Sequence, residues 1–335
     1  MCFAQLTQRD SLRDIENCLN AVSSKLYHCG IKHAVPGNTL AKANELRNWR
    51  IYADFAQVLV DIARPMYQKD SSFRLDMENL VYAFDSSTIS LCLKLCPWAT
   101  FRENRGGIKM HTLLDLRGNL PVFVHLTEAF VHDVNLLDEL YIEPAAIYVI
   151  DRGYLDYYRL YNRIHGQRAF FVSLAKYNMS YDVISSSPID METGVVSDQM
   201  IRLTGYRTAK HYPEPLRMVV YEAFAANVVC EFITNNPTFD PLTISELYRE
   251  RWQVELFFKW IKQHLKIKLF YDTSRNAVFC QIWIALCMHL LLAIAKKRCK
   301  IEQTLYSFSQ ICGITPFEKV PLNELFLTGH WCSNI

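Results

Sequence analysis

A strong excess of positive charge is missing from this chain: 36 Lys and Arg stand against 34 Asp and Glu in 335 residues, a formal net charge of +2. That balance is uninformative about partners, and any phosphate contact must come from local clusters rather than from the global field. Also missing among the 11 cysteines is a CxxC or a paired Cys/His spacing, so neither a zinc site nor a disulfide framework is indicated. The odd count, without a signal peptide, points to reduced thiols in a cytoplasm. A disordered composition is excluded too, because half of the residues are apolar and 21% are charged. The chain is long enough to bury a large core, in one large or two modest domains.

One long apolar run is present. FCQIWIALCMHLLLAIA, residues 279–295, precedes Lys296, Lys297 and Arg298 as a membrane anchor would. It reaches only the lower limit of a span, about 17 residues, and carries Gln281 and His289. A buried core helix is the better reading, with no membrane partner.

The stretch LYRERWQVELFFKWIKQHLKIK, residues 247–268, has no Gly or Pro and reads as one long helix. At about 100° per residue, Tyr248, Arg251, Glu255 and Lys262 share one narrow stripe. Leu247, Val254, Phe257, Phe258, Ile261 and Leu265 form the adjoining face that docks on a core. A carboxylate, a phenol and two cations on one stripe suit a metal and phosphates. A solvated, charged helix face accounts for the spacing equally well.

In chain order, residues 1–77 read as helical. Asp10 is placed to cap the helix ending at Gly30, and Thr39, after the Pro36-Gly37-Asn38 turn, to cap the next. With Lys32, His33, Lys42, Arg47 and Arg50 nearby, this region suits a DNA-binding module or a plain helical packing domain. NLVYAFDSSTISLCL is a strand run containing Asp85, and GGIKMHTLLDLRGNLPVFVHLT is a hairpin turning at Arg117-Gly118-Asn119. Lys109 and His111 alternate with apolar neighbours and share one face of that hairpin. Asp133 is read as the N-cap of VNLLDELY; AAIYVID is a short strand ending at Asp151, followed by the helix GYLDYYRLYNRIHG.

Five segments result: the helical region 1–77, a mixed α/β part 78–167, a β-rich insertion 168–235, helices 236–315 and a tail 316–335. By itself Asp85 is explained as a turn residue for Ser86 and Ser87, and Asp151 as a turn before Arg152-Gly153. Asp115, Asp133 and Asp156 each have a structural explanation beside a turn, at a helix start and on a surface helix.

Tyr248-x-x-Arg251-x-x-x-Glu255-x-x-x-x-x-x-Lys262 matches, without a gap, the Tyr-Arg-Glu-Lys signature of the DDE transposases of bacterial insertion sequences. The chain resembles in particular the group named after insertion sequence four, over nearly all of residues 78–300. The resemblance implies a ribonuclease-H-like mixed sheet with a β-strand insertion. It implies catalytic, metal-holding roles for Asp85, Asp151 and Glu255, and DNA-phosphate contacts for Tyr248, Arg251 and Lys262. It also implies two Mg²⁺ ions, with Mn²⁺ as a substitute, and double-stranded DNA (transposon ends and target) as substrate. A homodimer is expected in the synaptic complex. Members of the group usually carry more sequence upstream, so an N-terminal segment is expected to be missing before MCFAQLTQRDSLRD.

The chemistry agrees with such a set. Phosphodiester cleavage and strand transfer need an activated oxygen nucleophile and a stabilised leaving alkoxide, which two metal ions supply from hard oxygen ligands. Another ribonuclease-H-like nuclease and a non-catalytic DNA-binding relic are the competing readings.

Overall fold

The computed structural model describes residues 1–68, 75, 77–102, 105–223, 228–265, 267 and 270–327. Its helices are α1 (Cys2–Leu6), α2 (Leu12–Ala21), α3 (Gly37–Leu46), α4 (Arg50–Tyr67), α5 (Tyr157–Arg159) and α6 (Tyr206–His211). They continue with α7 (Pro241–Glu250), α8 (Trp252–His264), α9 (Arg275–Arg298), α10 (Leu305–Ile314) and α11 (Leu322–Leu327). The strands are β1 (Val81–Leu91), β2 (Thr100–Arg102), β3 (Arg105–Asp115), β4 (Leu120–Glu128) and β5 (Ile147–Ile150). The later ones are β6 (Phe170–Leu174), β7 (Tyr181–Ser186), β8 (Val195–Leu203), β9 (Leu216–Ala223) and β10 (Val228–Thr234). The chain forms two compact units. One gathers Met1–Lys69, Thr88–Ile108 and Phe258–Ile335, the other Asp70–Ser87 and Lys109–Phe257.

The first unit is helical and organised on α9. Ser274 caps that helix by accepting from the Ala277 N–H, and Lys296, Lys297 and Arg298 end it where the helix dipole favours cations. Every residue from Ala277 to Leu290 is buried, so no stripe faces water. α1, α3, α4 and α10 pack around it, and the apolar run is thus a core helix. Asn276 at its start donates to the carbonyls of Glu45 (2.8 Å) and Arg47 (2.7 Å), tying down the end of α3. Two expected caps are displaced. Ser11, not Asp10, caps α2, because its extended backbone lets Oγ accept from Asp14 N–H. α3 begins directly after Pro36, so Thr39 lies inside the first turn and does not cap it. Gly30, at φ 75°, ends the 3₁₀ turn of residues 23–29.

The second unit is a mixed sheet. Its strand order is β3-β1-β5-β6-β10-β9-β8-β7, with β4 paired to β3. β1, β5 and β6 run parallel; the pairs from β6 through β10, β9 and β8 to β7 are antiparallel. The parallel step from β5 to β6 needs a crossover, which residues 157–167 supply as α5 followed by a π and a 3₁₀ turn. Val81–Phe84 of β1 and all of β5 are buried on both faces, the pattern of central parallel strands. Tyr82, Phe84, Tyr148, Ile150, Leu160, Phe171, Tyr212 and Met218 belong to one core cluster. Within 168–235, β6 joins β5 directly and β10 joins β6, so these two strands continue the central sheet edge to edge.

The expected single helix over 247–268 is instead α7 and α8, separated at Arg251. There the N–H of Arg251 bonds to Tyr248 O, and that of Val254 to Arg251 O, both three residues back. This 3₁₀-type tightening breaks the four-residue ladder while φ and ψ stay helical, so residue preferences do not reveal it. Residues 266 and 268 of the expected helix lie outside the described residues. Asp133 also departs from expectation: His132 occupies the cap position of the 3₁₀ turn Asp133–Asp138, and no side chain caps it.

Candidate active site

The register of β1 and β5 positions two of the expected acids. Phe84 pairs with Ile150 in parallel strands, so one step further along the chain Asp85 stands beside Asp151. Both follow four fully buried apolar residues. Asp85 Oδ1 accepts from the Ser86 N–H at 2.8 Å. Asp151 closes a turn by accepting from Gly153 N–H at 3.3 Å and caps the 3₁₀ turn Arg152–Tyr154.

Glu255 arrives from the first turn of α8, where the helix dipole favours a carboxylate. Arg251 joins it to β1. Nη1 donates to Asp85 Oδ2 at 3.0 Å and Nη2 to Glu255 Oε1 at 2.9 Å. The guanidinium carbon lies 5.5 Å from the centre of the Tyr248 ring, within cation–π range, and that ring packs on Phe232 at 5.4 Å. Burial pushes the Asp85 carboxyl up to about 6; the Ser86 N–H and Arg251 pull it down, and Asp151 and Glu255 push it up. Burial thus outweighs a direct ion pair, which marks how costly the charge is at this position.

Lys262 belongs to the first unit, where its Nζ donates to the Thr88 carbonyl at 2.8 Å. Asp85, Asp151, Tyr248, Arg251 and Glu255 belong to the second. Among the described residues, no three His, Cys, Asp or Glu side chains are grouped closely enough to hold a metal ion. Asp85 and Glu255 instead already hold one cation between them, the Arg251 guanidinium. Their donors are carboxylate oxygens, the set a hard divalent ion prefers.

A further acid emerges only in three dimensions. Asp133 accepts from Ser86 Oγ at 2.6 Å and from Lys109 Nζ at 3.2 Å, while Lys109 also donates to the Val131 carbonyl at 2.8 Å. His111, two residues along β3, points to the same carboxylate at 3.5 Å and meets Thr127 Oγ1 at 2.9 Å. Burial holds the His111 pKa down to about 4, so this contact is not an ion pair near neutrality. The Tyr154 ring lies tilted against that of Phe84, with centroids 5.0 Å apart, and burial beside Asp85 and Asp133 raises its hydroxyl pKa. The alternation of Lys109 and His111 is the sequence signal for this cluster. The other two competing acids serve locally: Asp115 accepts from Arg117 N–H at the hairpin, and Asp156 caps α5 and pairs with Arg159 at 2.8 Å.

A mixed α/β sheet with acids on adjacent parallel strands, approached by a helix bearing a third acid and a cation, defines a protein with a charged site over its central strands. The chain belongs to the transposase DDE domain family, whose model matches residues 77–291; a domain of unknown function (DUF4372) matches residues 1–32. It is 32% identical to a Sinorhizobium fredii protein named as a transposase, over 84% of this chain and 77% of that protein. A Geobacillus stearothermophilus protein named for the transposase of insertion sequence element IS5377 is 28% identical over 70% of this chain and 61% of its own length. The piggyBac transposase in a synaptic complex with hairpin DNA aligns at a TM-score of 0.43 and 10% identity, over all of this chain and 82% of that one. The chain is a DNA transposase, an enzyme that cleaves and joins DNA strands.

Proposed function

We propose that Asp85, Asp151 and Glu255 are the catalytic carboxylates and that they hold two Mg²⁺ ions, with Mn²⁺ able to substitute. The observation that carries this is the β1–β5 register, which sets Asp85 beside Asp151, together with the guanidinium shared by Asp85 and Glu255. When bound, the metals supply Lewis acidity to the attacking and leaving oxygens of the scissile phosphodiester. The chain's own part is to orient these oxygen donors from β1, from the end of β5 and from the first turn of α8. Tyr248, Arg251 and Lys262 contact DNA phosphates: Arg suits a bidentate grip and Lys a point contact.

The substrate in this reading is double-stranded DNA, at the ends of an insertion sequence of the insertion-sequence-four group and at a target. The acting species is a homodimer in a synaptic complex, in the cytoplasm. The fold assignment is ribonuclease-H-like. Residues 78–167 and 236–315 form the catalytic domain around the 168–235 insertion, 1–77 precede it as a helical region with a DNA-binding role, and 316–335 form a tail. The parallel pair of β1 and β5 before residue 168 and the helices after β10 support the outer parts of that division, whereas β6 and β10, at the two ends of 168–235, pair into the central sheet.

Glu255→Gln keeps the side chain's size and removes the charge a metal requires. It is expected to abolish Mg²⁺-dependent cleavage of a labelled DNA end while leaving DNA binding within about twofold. Asp85→Asn and Asp151→Asn are expected to behave alike. Full activity in any of the three removes that residue from the catalytic set.

A further inference from the structure

Arg251 is engaged on the same oxygens that the proposed function assigns to divalent cations. Its two terminal nitrogens reach Asp85 Oδ2 and Glu255 Oε1, at 3.0 and 2.9 Å. The guanidinium is planar, carries a permanent charge and presents its donors as a rigid fork. It therefore neutralises two of the three acids as a resident counter-cation. A divalent ion that takes Asp85 Oδ2 and Glu255 Oε1 competes with it for these oxygens, because two cations drawing on the same carboxylates repel each other and each weakens the other's bond.

The displaced guanidinium cannot simply be left behind. Its side chain is only 12% exposed, and its buried Nε–H has no acceptor among the described residues. An unpaired charge in such a place is strongly unfavourable. The Tyr248 ring face, 5.5 Å away, shelters it without supplying an anion. The group that matches the fork is a second planar pair of anionic oxygens, and a phosphate presents one.

We propose that Arg251 couples cation loading to DNA binding: it keeps Asp85 and Glu255 closed to divalent ions until a DNA phosphate takes over the guanidinium. This rests on the assignment of these carboxylates to divalent cations. Because such coupling is reciprocal, DNA tightens the metal and the metal tightens DNA by the same factor. The protein without DNA then carries little bound metal, and the carboxylates become a metal site only where a phosphodiester is present to be cut.

The test is Mn²⁺ binding by the whole chain, read from the electron paramagnetic resonance signal of free Mn²⁺, with and without a short duplex DNA at low salt. The signal is corrected for Mn²⁺ held by the duplex alone. No turnover is needed. Without DNA, Arg251→Ala and Arg251→Lys are expected to bind Mn²⁺ about tenfold more tightly than wild type. The lysine variant keeps the charge but cannot span both carboxylates, so it separates bridging from simple electrostatics. Duplex DNA is expected to tighten Mn²⁺ on wild type about tenfold and on Arg251→Ala less than about twofold. An Arg251→Lys affinity equal to wild type without DNA overturns the proposal, as does an equal gain from DNA in wild type and Arg251→Ala. Glu255→Gln tells the two levels apart. If it binds Mn²⁺ as wild type does in the presence of DNA, the assignment of the carboxylates fails, and the coupling with it. If it binds poorly while the arginine variants behave as wild type, only the coupling fails.

Discussion

The Ser86 hydroxyl donates to Asp133 at 2.6 Å, one residue beyond Asp85 on the same strand. Through Asp133 the bond extends to Lys109 on β3, so the backbone that aims Asp85 is fastened to its neighbouring hairpin. Asp133→Ala removes the acceptor and leaves a largely buried ammonium with only a carbonyl. The expected cost is about 2–3 kcal/mol, measured by chemical denaturation, together with a fall in strand cleavage. Ser86→Ala, which loses one neutral donor, is expected to cost about 1 kcal/mol. Equal stability of Asp133→Ala and wild type removes Asp133 from any positioning role.

The Asp85 carboxyl supplies a pH dependence with a definite sign. Its folded pKa of about 6 lies above the ordinary value of 3.8, so between those values the folded state binds more protons than the unfolded one. The stability contribution is therefore fully present below about pH 4 and is lost as pH rises through about 6. In EDTA, the stability difference between wild type and Asp85→Asn is expected to move against wild type by about 2–3 kcal/mol across that window. A pH-independent difference refutes the assignment of the shift to Asp85.

Asp198 and Arg217 form a bidentate pair at 2.7 Å inside the β8–β9 part of the sheet, with side chains 5% and 7% exposed. Asp198→Ala leaves a buried guanidinium without its carboxylate and is expected to cost about 3–5 kcal/mol. The double substitution Asp198→Leu with Arg217→Met is expected to recover most of that loss, because both charges leave together. Denaturation of the three variants reads the outcome. Asp198→Ala as stable as the double variant contradicts it.

Lys262 brings an ammonium to the same helical stripe as Glu255, with its Nζ donating to the Thr88 carbonyl at 2.8 Å. Lys262→Ala is expected to weaken binding of a labelled DNA end and to make the dependence of log K on log[salt] shallower by about one unit. Cleavage is expected to persist at low salt and high protein concentration. An unchanged salt slope excludes a phosphate contact at this position.

Much of the secondary structure is legible locally. Apolar alternation and turn chemistry place the β3–β4 hairpin, and Asn119 occupies its turn at φ 52°. Uninterrupted apolar residues place β5 and α9, and the two polar residues inside α9 already speak for a protein core rather than a lipid environment. The break at Arg251 and the role of Asp133 are not legible in this way. The first is a change of hydrogen-bond partner within helical dihedrals. The second depends on a hydroxyl 47 residues away in the chain.

By itself the sequence determined the menu of elements and the presence of an acidic, phenolic and basic stripe over residues 248–262, because periodicity and residue type act over a few neighbours. Only the tertiary structure decided which charges meet. Asp85 and Asp151 stand side by side because β1 and β5 pair in parallel in a particular register, and a shift of one residue would turn them to opposite faces. Arg251 faces inward to Asp85, 166 residues earlier in the chain, rather than outward to solvent. That choice is made by burial, since a carboxylate and a guanidinium both removed from water gain most by meeting each other.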